Sequence, residues 1–143
     1  MLKFSDDVPS WVKDWTEFLI DALGLDTYKL YIEMTDYPNP ELQGTDGAAY
    51  LNERYHQATI RLRRGMADDD DGRSLVVHEL LHVRLSALSR LAEHTEHLLP
   101  KRERRVYGER YCDAEEQAIE GLARSLTPLL VKFVVEPEPA ATA

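Results

Sequence analysis

The sequence predicts an α+β domain in which a small, mainly antiparallel sheet packs against helices. Three observations carry this expectation. Apolar residues recur at helical spacing in three stretches, near residues 9–23, 73–91 and 103–130. Between the first two stretches, short segments alternate apolar and polar residues with the period of a strand. The resulting order is helix, strands, helix, helix, which groups the strands together and apart from the later helices.

The elements can be taken in order. From Pro9 to Leu23, the residues Trp11, Trp15, Phe18, Leu19, Ala22 and Leu23 form one apolar face of a helix. Pro9 suits its first turn, Asp7 or Ser10 can cap it, and Gly24 stops it. From Tyr28 to Thr35, Tyr28, Leu30, Ile32 and Met34 alternate with Lys29, Tyr31, Glu33 and Thr35, the pattern of a half-buried strand. Residues 36–47 are rich in Pro, Gly, Asn and Asp and read as a loop. Ala48 to Glu53 and Gln57 to Arg63 read as two further strands. The run Asp68 to Asp71 then places negative charge where a helix has its positive end. The helix that follows, from about Arg73 to about Leu91, carries the stripe Leu75, Val77, Leu81, Leu85 and Leu88. Ala92 to Pro100 reads as a connection. A last helix covers roughly Glu103 to Leu130, with a possible break at Gly108 and a kink or end at Pro128. Residues 1–135 make one domain, and the Glu-Pro-rich tail 136–143 is expected to be disordered.

Composition narrows the function. The chain has 143 residues, 43% of them hydrophobic, enough to bury a core without covalent staples. Its formal net charge of −9 argues against binding a nucleic-acid backbone. The basic run Lys101 to Arg105 reads as a solvated helix start. The sequence has no apolar run long enough to span a membrane and no secretory signal at its start, so a cytoplasmic location is expected. The lone Cys112 supports no disulfide framework and has no feature that would make it a nucleophile.

Chemistry is concentrated in His78-Glu79-Leu80-Leu81-His82. Two histidines four residues apart on a helix share a face and can bind one ion. Zinc held by neutral imidazoles lowers the pKa of its water toward neutrality. Glu79 stands beside the first histidine and can take that water's proton as general base. A catalytic zinc needs a third protein ligand and one open position. Leu88, six residues after His82, rules out a metzincin third histidine there. In the stretch Glu116 to Ala123, Glu116 can bind the metal, and Glu120, one turn later, can orient a histidine ligand. Leu122 and Ala123 would anchor that helix in the core. Glu115, His94 and His97 are rival third ligands, and Tyr107, Tyr111 or the same histidines could stabilise an oxyanion.

Taken together, the two segments resemble the gluzincins, metallopeptidases in which H-E-x-x-H is followed by a helix bearing Glu-x-x-x-Asp or Asn. Small phage and bacterial zincins and the ImmA/IrrE-type regulators are similar in pattern. The resemblance covers about a third of the chain, and Glu120 departs from it where Asp or Asn is usual. It implies a zincin-like fold, one Zn²⁺ per chain on His78, His82 and Glu116, Glu79 as general base, and a protein or peptide substrate. It also implies that the strand before the active helix, Gln57 to Arg63, pairs with an extended substrate. Arg61 and Arg63 on that strand read more simply as edge charges. Two other readings compete: a zincin-fold binding or assembly protein with a structural or vestigial metal, and a metal-free helical interaction module.

Overall fold

The computed structural model describes residues 1–42 and 44–135; the expected disordered tail 136–143 lies outside them. The elements are β1 (Leu2–Phe4), α1 (Ser10–Leu23), β2 (Lys29–Thr35), β3 (Gly47–Asn52), β4 (Gln57–Arg63), α2 (Asp70–Arg84), α3 (Ser86–Leu98) and α4 (Lys101–Val135). A short 3-10 turn, Glu53–Tyr55, joins β3 to β4. The chain is therefore α+β, as its element order suggests.

The sheet is not mainly antiparallel. Its order is β1-β2-β4-β3, and both β1–β2 and β2–β4 are parallel. Only β3–β4 is antiparallel. Two features produce this. β1 has three residues, too few to show a period, and α1 carries the chain across to a parallel neighbour. The loop after β2 then takes β3 to the outer edge, and a tight reversal through His56, in the left-handed region at φ 53, returns β4 to the gap between β2 and β3. β4 is thus a central strand, and the expectation that it offers an edge to substrate is overturned.

The alternation in the strands sets the core. Leu30, Ile32 and Met34 of β2 and Ala58, Ile60 and Leu62 of β4 are buried on one face. Trp15 and Leu19 of α1, Val76, Val77, Leu80 and Val83 of α2, and Ile119 and Ala123 of α4 close over them. Each fully buried Leu, Ile or Val contributes roughly 1.5–3 kcal/mol of transfer free energy. On the opposite face Arg61 pairs with Glu33 and lies 4.8 Å from the Tyr50 ring centre. Arg63 pairs with Asp46 at 3.0 Å. These arginines serve ion pairs on a central strand, not an exposed edge.

Helix boundaries follow local chemistry. Gly24 ends α1 at φ 67, but the first residue before α1 is Pro9, without a side-chain cap. Asp7 instead accepts from Ser5 and pairs with Arg64. Asp69 caps α2 by accepting from Gly72 N at 2.8 Å, and Asp70 and Asp71 fill its first turn. The predicted 73–91 helix divides at Leu85, whose ψ of 11 breaks the run, and α3 occupies much of the expected connection. α2 packs against the sheet, α1 and α4, so its buried residues Val76, Val77, Leu80, Leu81 and Val83 spread over a broad face instead of one narrow stripe. Leu88 and Leu91, beyond the break, are exposed. α4 runs unbroken past Gly108 and through Pro128. Near that proline, Thr127 Oγ1 donates to Ala123 O at 2.6 Å. Ala123 anchors α4 in the core, whereas Leu122 faces out.

Candidate metal centre

The middle of α2 faces the middle of α4, and this crossing gathers the polar residues of the motif. His78 and His82, one turn apart, turn their Nε2 atoms to within 3.3 Å of each other. Glu116 reaches across from α4, its Oε2 3.2 Å from His78 Nε2 and its Oε1 2.9 Å from His82 Nε2. Glu116 is the most open of the three, with its side chain 57% exposed. Among the described residues, these three form the group suited to holding a metal ion, with ligand atoms all within 4.8 Å of one another.

The outer atoms of both rings are also engaged. His78 Nδ1 lies 2.9 Å from Glu120 Oε2. A salt bridge from Arg124 and the contact with His78 hold the Glu120 carboxyl below the usual range, so it is ionised and accepts the Nδ1 proton. In a neutral ring this contact favours the proton on Nδ1 and leaves Nε2 as the lone pair for a metal. His82 Nδ1 is turned toward Glu115 Oε1 at 3.4 Å, and Ser89 Oγ donates to Glu115 Oε2 at 2.8 Å. Glu115 therefore stands behind His82, and Glu116 stands between the two imidazoles. Two imidazole nitrogens and a carboxylate oxygen at these separations suit a shared cation, whether a proton or a metal ion. The separations also fit: a tetrahedral ion with bonds near 2.0–2.1 Å has ligand edges of about 3.3 Å. The donor set of two nitrogens and one oxygen suits zinc.

Glu79 faces a different surface. Its side chain is buried, with 4% of the residue exposed. Burial, and then the negative charge of Glu116, push its carboxyl up to about 8. The chain in β3 comes so close that a Cβ on Gly47 would lie 2.8 Å from Glu79 Oε1.

The edge of the sheet beside this centre is β3. Arg63 N donates to Asp46 O at 2.9 Å, which makes Gly47–Leu62 the pair without mutual hydrogen bonds. Ala48 therefore points its backbone groups at β4, and Gly47, Ala49 and Leu51 point theirs at the open edge. Two clefts meet the centre. One, of about 880 Å³, reaches it at Glu120 and is also lined by Asp46, Gly72 and Arg124. The other, of about 490 Å³, reaches it at His82 and Glu115 and runs beneath Ala49 and Leu51.

His94 and His97 are exposed on α3 and lie outside the metal-suited group. Tyr111 stands beside Glu115 and Ser89, where burial and the Glu115 carboxylate raise its hydroxyl above the usual value. Cys112 is exposed, and local desolvation with nearby carboxylates keeps it a thiol. Sequence reasoning missed Gly47, which it placed at the end of the loop 36–47, and missed β3 as the edge; the glycine standing directly before the second predicted strand was the one available signal. Comparison with protein-family models, with curated proteins and with solved structures finds no match for the chain.

Proposed function

We propose that this protein is a zinc-dependent metallopeptidase with a zincin-like arrangement. His78, His82 and Glu116 hold one zinc, and Glu79 is the general base. The observation that carries this reading is the convergence of two imidazoles and one carboxylate, with a buried carboxyl on the next residue of the same helix. A bound zinc supplies a polarised water of near-neutral pKa.

The chain's own residues do the rest. Glu120 and Glu115 hold the two rings by their Nδ1 sides. An extended peptide adds to the free edge of β3 through the backbone groups of Gly47, Ala49 and Leu51, so the backbone is recognised irrespective of side chain. The two clefts receive the flanking side chains. Glu79 takes a proton from the attacking water and passes it to the leaving amine nitrogen. A nearby cation draws the raised pKa of Glu79 down, which readies it as a base near neutral pH.

The alternative, a structural or vestigial metal without hydrolysis, calls for a closed site. Among the described residues no fourth side chain belongs to the group, which favours an open position. The test is cleavage of an unfolded protein pool by zinc-loaded chain, read by mass spectrometry. Zinc-dependent cleavage should fall at least about 10²-fold in Glu79→Gln, with zinc content unchanged. A chain that holds zinc yet cleaves nothing is a binding protein, and the reading is then wrong.

A further inference from the structure

The Glu79 carboxyl has no hydrogen bond to fix it among the described residues, although it is almost wholly buried. Packing alone must place it. The closest wall is the backbone of β3 at Gly47. A Cβ there would meet Glu79 Oε1 at 2.8 Å, Cγ at 3.0 Å and Cδ at 3.1 Å. Ordinary van der Waals contact begins near 3.5 Å. The Cβ direction at Gly47 is inward, because its partner across the ladder is the fully buried Leu62. β3 cannot easily lift, since Asp46 O is tied to Arg63 N and the ladder continues to Asn52. Turning the carboxylate alone does not clear the contact, since Cγ and Cδ are met nearly as closely as the oxygen.

We infer that Gly47 is a positioning residue for Glu79: the missing side chain opens the slot in the edge strand that sets where this carboxyl stands. This rests on reading Glu79 as the base and adds a residue that neither the motif nor the metal group contains. It also gives Gly47 two duties. Its backbone N–H and C=O face the open edge, where an extended peptide would pair, and its bare α-carbon faces the base. The positions of the scissile segment and of the base are thereby set by one residue.

The test is a double-mutant cycle on the zinc-free chain, followed by kinetics. Gly47→Ala should lower Tm by several degrees in the parent and by far less in the Glu79→Ala background, where the slot is vacant. If Gly47→Ala alone fails to fold, the double variant should fold. In the zinc-loaded chain, Gly47→Ala should keep its zinc content and KM while kcat falls about 10²-fold, the scale of an ångström-sized misplacement. Equal Tm losses in both backgrounds, or failure of both variants to fold, overturn the slot whatever the parent hydrolyses. Coupled losses in a parent that hydrolyses nothing overturn the peptidase reading, and the positioning role goes with it.

Discussion

Glu120 shows how a neighbouring side chain can decide a role that spacing alone leaves open. A carboxylate one turn after Glu116 is plain in the sequence, but its length suggests that it must fold back to serve a histidine. Arg124 removes the difficulty. It takes one Glu120 oxygen from the next turn and leaves the other 2.9 Å from His78 Nδ1. Glu115 and Glu116 could not be ranked firmly from spacing, because adjacent helical positions differ by only 100° around the axis. In the fold they divide the work, with Glu115 behind His82 and Glu116 between the rings. Glu79 yields a residue-scale prediction about pH. Its carboxyl ionises near 4.5 in an ordinary setting and near 8 in the folded, zinc-free chain. Between those values the unfolded chain binds fewer protons than the folded one, so stability falls as pH rises through this window. Glu79→Gln should remove that fall and raise Tm at pH 8 by roughly 5 °C relative to the parent, with little difference at pH 4.5. Thermal unfolding of chelator-treated protein at the two pH values reads this directly.

At the scale of elements, the sequence showed most of what local periodicity can show. α1, β2 and β4 fall close to where alternation and helical spacing place them. The failures came where tertiary packing overrides the local signal. Leucines continue past Arg84 with helical spacing, yet the chain breaks at Leu85, and Leu88 and Leu91 face outward. Pro128 and Gly108 are signals to stop, yet α4 continues through both. Strand order was the largest miss, because pairing partners are set by contacts far apart in sequence. The free edge beside the centre is therefore β3 and not β4. Proline substitution distinguishes the two sides of β3. Ala49→Pro removes a donor that faces the open edge, so it should leave Tm nearly unchanged while raising KM for peptides. Ala48→Pro removes a donor to β4 and leaves a carbonyl unpaired, costing about 1–3 kcal/mol. Equal Tm losses would show that the open edge has been assigned to the wrong residues.

At the scale of the whole molecule, one apolar sheet face covered by helices positions the centre. α2 runs between the sheet and α4, so a broad face of it is apolar and buried, and His78, Glu79 and His82 lie where it meets α4 and β3. No helix among the described residues is long and apolar enough to cross a membrane. The net charge of −9 favours binding a cation, and the three carboxylates of Glu115, Glu116 and Glu120 concentrate that charge around two imidazoles. A divalent ion relieves this repulsion, so metal binding at this group should couple to folding. The most direct measurement is calorimetric titration of zinc into the chelator-treated chain. The expected result is one zinc per chain in the parent, a 10- to 100-fold weaker site in Glu120→Ala, and no such site in His78→Ala. Zinc that fails to bind the folded parent, or binds unchanged after His78→Ala, would contradict the His78–His82–Glu116 centre.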